Sequence, residues 1–345
     1  MINMKDKSFE DGIKSMFKNN FGLEEQESIL ILTDYPTEKE LADLSEDKIY
    51  DMIDRIFLAK YIYQIAENLD YNISIKIFPS TGQSGKEIPE DAAKLMTEND
   101  IFIAITTFSL SHTEARKKAT EEHGARGASC PGITRKMFDS DGPMLADYNQ
   151  IKKDTDALVE KLNNSKRGKI LAPNGTEVYF FINPNSAEPD TGIIKNKGDF
   201  SNLPAGEAYL APIEERTTGR LIVSKGWYED LEEDMTIEID NGLVYQITGG
   251  GVIGEKFNDL LFNEDKYNEA TRLSRRNIAE VGIGTNPKAK DPQNVLEAEK
   301  IKGTCHIAIG DNHTFGGTVE SDIHVDFVIP KAQLFLDKKE INLTG

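Results

Sequence analysis

Only two cysteines, Cys130 and Cys305, occur among 345 residues. That is too few for the disulfide framework of a secreted protein and fits a reducing compartment, so a cytoplasmic chain is expected. Basic residues are scarce as well: 40 Lys plus Arg stand against 59 Asp plus Glu, a net charge of −19. Such a chain repels phosphate backbones and anionic lipid, which excludes nucleic acid and membrane as partners. Long apolar runs are missing. The longest uncharged stretch near the middle, residues 101–113, is too short for a bilayer span and ends in hydroxyl residues. The opening MINMKDKSFEDGIKSMF carries charges every few residues and no apolar core, so it does not read as a signal peptide. Internal repeats and low-complexity segments are lacking too. What is present is enough chain for one large domain or two modest ones, each with a self-sufficient core.

The first part alternates β-branched runs (residues 28–33, 72–78 and 101–106) with a helical pattern over residues 46–68. This predicts an α/β N-terminal domain, residues 1–165, built on a parallel sheet. Ser111-His112-Thr113-Glu114 has capping-box spacing and predicts a helix starting at Ser111, with His112 at its start. Polar and turn residues from Asn163 to Gly168 mark a boundary. Beyond it short strands dominate, and residues 166–345 read as an α+β domain with mixed or antiparallel sheet. Asn241-Gly242 between two alternating runs, residues 235–239 and 243–247, is a hairpin signal.

Three of the five histidines, His306, His313 and His324, fall within 19 residues that also hold Asp311, Glu320 and Asp322, with Asp326 just beyond. In Ile323-His324-Val325-Asp326-Phe327-Val328 the apolar residues take one strand face and His324 and Asp326 the other. In Cys305-His306-Ile307-Ala308-Ile309-Gly310, His306 shares a face with Ala308 and Gly310, which leaves room beside the imidazole. A His-x-Asp pair also occurs on ordinary solvated strands. Cys305 points away from His306 and reads as a core thiol; Cys130 reads as structural. Glu207 and Glu280 stand in apolar or glycine-rich surroundings. A buried carboxylate needs a cation, which a metal or a salt bridge to Arg275, Arg276 or another base would supply.

The segments Asn202-Leu203-Pro204-Ala205-Gly206-Glu207, residues 277–286 (NIAEVGIGTN), His306-Ile307-Ala308-Ile309-Gly310 and His324-Val325-Asp326 resemble, in that order, the aminopeptidase T family of metallopeptidases. Residues 109–113 (SLSHT) and 130–134 (CPGIT) are similar to that family's N-terminal segments. The resemblance implies a metallo-aminopeptidase that removes N-terminal residues from small peptides, works as a homodimer, and carries two divalent ions in the C-terminal domain. It assigns as ligands Glu207, Glu280, His306, His324 and Asp326. Three carboxylates and two imidazoles hold two ions when a carboxylate bridges, and nitrogen and oxygen donors suit zinc, cobalt, manganese or magnesium. Glu214, in Pro212-Ile213-Glu214-Glu215, is the candidate proton shuttle. The family tyrosine that follows the first histidine ligand is absent; His313, in Asp311-Asn312-His313-Thr314, is the candidate oxyanion donor instead. The loop between His306 and His324 is also shorter than in that family.

Two further readings use the same residues. His306, His324 and Asp326 alone form a two-histidine, one-carboxylate set, so a mononuclear Fe(II) ring-cleaving dioxygenase of the dihydroxypyridine type is one alternative. A non-catalytic metal or peptide binder is the other. Gly249-Gly250-Gly251-Val252-Ile253-Gly254 fits G-x-G-x-x-G, but the strand before it is the second arm of the predicted hairpin, and Ser274, about 20 residues on, offers no ribose carboxylate.

Overall fold

The computed structural model describes residues 7–344. The first six residues of the N-terminal stretch read for a leader lie outside them. The chain divides into two compact units, Met1–Asn149 with Thr191–Ala205, and Gln150–Asp190 with Gly206–Gly345.

The first unit is built on a parallel sheet of five strands. Its order is Asn72–Pro79, Ser28–Tyr35, Ile101–Ile105, Arg126–Ser129 and Phe200–Asn202. Strand Ser28–Tyr35, flanked on both sides, buries Ile29, Leu30, Ile31 and Leu32 consecutively. A continuous apolar run of this kind suits a parallel strand covered on both faces. The long helix Glu46–Asn68 connects Ser28–Tyr35 to its neighbour Asn72–Pro79. The helix expected from Ser111 begins later. Thr113 is the cap, its hydroxyl accepting from the Arg116 N–H at 3.2 Å, and the helix is Glu114–Lys117. The Ser111 hydroxyl is instead 3.0 Å from that of Ser109, and His112 stays outside the helix.

The second unit stacks two antiparallel sheets. One has seven strands; in it Met235–Asp240 and Leu243–Gly249 pair as the expected hairpin, with Asn241 and Gly242 at φ 48° and 73°. Positive φ at both central residues is what a tight two-residue hairpin turn demands. The other runs in the order His324–Ile329, Cys305–Gly310, Ile278–Gly284, Glu207–Leu210 and Glu188–Asp190. A single apolar core joins the sheets, with Val178, Phe180 and Leu221 from one and Ile283, Ile307 and Phe327 from the other. The fold is therefore mixed α/β, with a parallel sheet in one unit and antiparallel sheets in the other. Among the described residues no helix is long and apolar enough to cross a membrane.

Helix Gly251–Phe262 follows the second hairpin arm directly. Its first N–H donates to the Glu233 carboxylate at 2.7 Å, so a protein side chain fills the anion position that a nucleotide phosphate would take.

Candidate metal centre

Alternation along the five-stranded antiparallel sheet sorts its residues onto two faces. Ala208, Val281, Ile283, Cys305, Ile307 and Phe327 enter the core. Glu207, Glu280, His306, His324 and Asp326 take the other face. Register then sets each large polar side chain beside a small residue: Glu207 opposite Gly284, His306 opposite Gly282, Asp326 opposite Ala308 and His324 opposite Gly310. Gly282 is indispensable to this arrangement, because a Cβ there would lie 2.0 Å from His306 Nε2.

The five side chains expected from the sequence converge. Glu280 is central: Oε1 lies 3.3 Å from His306 Nε2 and Oε2 lies 3.3 Å from His324 Nε2. Glu207 Oε2 is 3.4 Å from His306 Nε2, and Asp326 Oδ1 is 3.7 Å from His324 Nε2. Three overlapping groups each bring their ligand atoms within 4.8 Å of one another: Glu207, Glu280 and His306; Glu280, His324 and Asp326; and Glu299, His306 and Asp326. His324 Nδ1 sits 2.8 Å from the Asp311 carbonyl, which fixes the ring with Nε2 toward the cluster, the second partner usual for a ligating histidine.

Burial raises the cost of charge throughout this cluster. It would lower both imidazoles, but the Glu280 hydrogen bond and the charges of Glu207 and Glu280 push His306 up to about 9. Asp326 and Glu280 likewise hold His324 well above its ordinary value. For Glu280 burial acts upward and is overcome by the two imidazoles, which leave it far below the usual carboxylate range. Burial pushes Glu207 up to about 8 and Glu299 up to about 7, each against the pull of Lys300. Without a bound cation, protons fill the places of positive charge. That donor set, of nitrogen and oxygen with no thiolate, suits a divalent ion that would displace those protons.

Sequence reasoning missed Asp190, Glu299 and Lys300. Lys300 has 1 % of its side chain exposed and pairs with Glu207, with Glu299 at 2.9 Å and with Asp190 at 3.6 Å. Burial would lower its ammonium, but the three carboxylates hold it well above the ordinary value. Glu207 thus has the salt bridge that was the alternative to a metal, though not to an arginine; Arg275 is engaged by Asp322, at 2.7 and 2.8 Å. In sequence, Glu297-Ala298-Glu299-Lys300-Ile301-Lys302 looks like a solvated charge run. Asp190 is signalled only by register, opposite Glu207.

Glu214 and His313 stand outside the three groups. Glu214 accepts from Thr318 N and Oγ1 at 2.6 and 2.7 Å, and these bonds with that of Asn312 hold it below the ordinary range although burial acts upward. It ties down the loop between the two histidine strands. His313 is over a third exposed, with Nδ1 2.6 Å from Asp311 Oδ1. Cys130 and Cys305 are buried and unpaired, and burial pushes the Cys305 thiol up to about 12.

The family model described as NicX, 2,5-dihydroxypyridine 5,6-dioxygenase, matches residues 13–345. A 2,5-dihydroxypyridine 5,6-dioxygenase from Pseudomonas putida is 22% identical over 200 residues, 53% of this chain and 55% of that protein. The chain therefore spans about half the length of this relative. The solved structure of a 2,5-dihydroxypyridine dioxygenase from Pseudomonas putida KT2440 superposes with a TM-score of 0.74 at 16% identity, covering 99% of this chain and 97% of that one. AmpT from Thermus thermophilus superposes at 0.60 with 13% identity, covering 95% and 94%. At these identities the likeness to both structures shows the fold alone.

The family match overturns the assignment to the aminopeptidase T family. With it go the metallo-aminopeptidase activity, the expected pair of zinc, cobalt, manganese or magnesium ions, and the peptidase roles of Glu214 and His313. Of the segments that carried the resemblance, residues 202–207, 277–286, 306–310 and 324–326 lie on the site sheet or lead into it, and residues 109–113 and 130–134 lie in the first unit; what they share with AmpT is the fold. Matched along nearly its whole length, the chain belongs to the NicX, or 2,5-dihydroxypyridine 5,6-dioxygenase, family.

Proposed function

We propose that the chain is a mononuclear, iron-dependent dioxygenase that opens a dihydroxylated pyridine ring. The observation that supports it most is the pair of imidazoles, His306 and His324, facing the two oxygens of Glu280 with Asp326 alongside, in a chain of this family. His306, His324 and Asp326 would hold the ion, with Glu280 between the imidazoles. A two-histidine, one-carboxylate set leaves coordination positions open. Ferrous iron, when bound, supplies the redox activation of dioxygen that side chains lack.

The remaining work falls to the chain. The Asp311 carbonyl keeps His324 in one orientation. Phe315 stands edge-on to His324 at 5.7 Å and to Tyr209 at 5.9 Å between ring centroids. This aromatic wall beside a ligand would orient a flat ring by stacking or edge contact. Burial and the neighbouring acids hold the Tyr209 phenol well above its ordinary value, so it remains protonated and donates to Glu188 at 3.0 Å. In this reading the metal site belongs to the second unit, Gln150–Asp190 with Gly206–Gly345, rather than to an unbroken domain of residues 166–345, and a homodimer works in the cytoplasm on a small aromatic substrate, without nucleic acid or membrane. The net charge of −19 and the reduced cysteines support that setting.

The test is oxygen uptake by the full chain loaded anaerobically with ferrous ion, on addition of 2,5-dihydroxypyridine. One dioxygen consumed per ring lost is expected. His324→Ala should lower the rate more than the roughly 10–100-fold typical of losing a residue that merely supports a ligand. No uptake by the iron-loaded wild type with this or other dihydroxylated pyridines would overturn the proposal.

A further inference from the structure

The site face offers more carboxylates than one ion needs, and a lysine claims part of the surplus. Glu207 and Glu299 each belong to a group with ligand geometry, yet both are ion-paired to Lys300, as is Asp190. The lysine cannot swing aside to solvent: its side chain is 1 % exposed. Its backbone is clamped as well, the Asn286 N–H donating to the Lys300 carbonyl at 2.9 Å and the Lys302 N–H to the Asn286 carbonyl at 3.1 Å. On Glu207 the ammonium sits at Oε1 and leaves Oε2, 3.4 Å from His306 Nε2, without a hydrogen-bond partner, so what Lys300 opposes there is charge: it neutralises the carboxylate and repels a divalent ion sharing it. Glu280, His306, His324 and Asp326 make up the rest of the donor set.

We propose that Lys300 is a built-in cation that withdraws Glu207 and Glu299 from coordination and so limits the centre to a single metal ion. This rests on the single-ion reading above. In it Lys300 is a positioning residue, Glu207 is its counter-ion, and the same sheet face that supplies donors enough for two ions accepts one.

The experiment measures iron per chain by elemental analysis after anaerobic loading with ferrous ion and desalting, in the wild type, Lys300→Met and Glu207→Gln, with melting temperature as the check on folding. One ion is expected in the wild type and two in Lys300→Met. Glu207→Gln should keep one, with affinity within about threefold of wild type, because a hydrogen-bonding partner of Lys300 remains and no ligand is lost. One ion at wild-type affinity in a folded Lys300→Met overturns the proposal and leaves the single-ion reading intact. Two ions in the wild type overturn both. If Lys300→Met fails to fold, Glu207→Gln decides: loss of its ion would make Glu207 a ligand and end the proposal.

Discussion

On one face of the five-stranded antiparallel sheet, Ile307 and Ile309 join Val281, Ile283 and Phe327 in the core. On the other, one residue along each strand, His306 faces Glu280 and Glu207, with Lys300 behind. The same backbone carries both. The apolar face is satisfied by contacts within the chain, whereas the polar face gathers buried charge that only protons, Lys300 or a bound ion neutralise. Stability and function are thus separated by the two-residue period of a strand, and substitutions at adjacent positions should separate them too.

The largest expected effect breaks the core side alone. Ile307→Ala should cost about 2–5 kcal/mol, the usual range for emptying a buried aliphatic site. Thermal or denaturant unfolding measures it, and iron per chain in the folded fraction should stay at the wild-type value. Loss of iron from well-folded Ile307→Ala would mean that the faces are not independent.

A smaller effect, confined to the polar face, is expected from Gly282→Ala. The added methyl would meet His306 Nε2 at 2.0 Å, so the imidazole must turn away from Glu280. Metal affinity should fall roughly 10–100-fold, as when a ligand loses its orientation. The melting temperature of the metal-free protein should move far less than in Ile307→Ala. Calorimetric titration with ferrous or manganous ion reads the first quantity, and wild-type affinity in Gly282→Ala would remove His306 from the centre.

Alternation is the part of this arrangement that the sequence shows openly. Ile323, Val325 and Phe327 against His324 and Asp326, or Cys305 and Ile307 against His306 and Ala308, sort the faces with no knowledge of pairing. The hairpin at Asn241-Gly242 is equally local, since its turn chemistry lies in two residues. Register is not local, and neither Gly282 opposite His306 nor Asp190 opposite Glu207 can be read without it. Lys300 was hidden for the same reason: a lysine within a charged run looks solvated until two distant carboxylates, Asp190 and Glu207, join its neighbour Glu299 around it. The helix expected from Ser111 shows a finer limit, for Ser111 and Thr113 both suit a cap, and the hydroxyl that meets Arg116 N decides. The reaction was the least legible property, because histidine and carboxylate ligands serve hydrolysis and oxygenation alike.

The gentlest way to sharpen the comparison changes no residue. In the metal-free protein His306 is raised from 6.5 to about 9, so the stability it contributes is complete below pH 6.5 and is lost as pH rises through 9. His324, held above its ordinary value by Asp326 and Glu280, acts with the same sign. Glu207 and Glu299, pushed up to about 8 and 7, add to the trend, because each grows costlier to keep buried as it ionises above its ordinary pKa of 4.5. Glu280 stays ionised throughout and contributes no slope here. Melting temperature measured with a chelator should therefore fall between pH 6.5 and 9. With the ion bound the imidazoles no longer need their protons, so the slope should flatten, and metal affinity should rise with pH over the same window. A metal-free melting temperature that is flat from pH 6.5 to 9 would mean that the carboxylates do not hold protons on the imidazoles, and that the polar face is as self-sufficient as the apolar one.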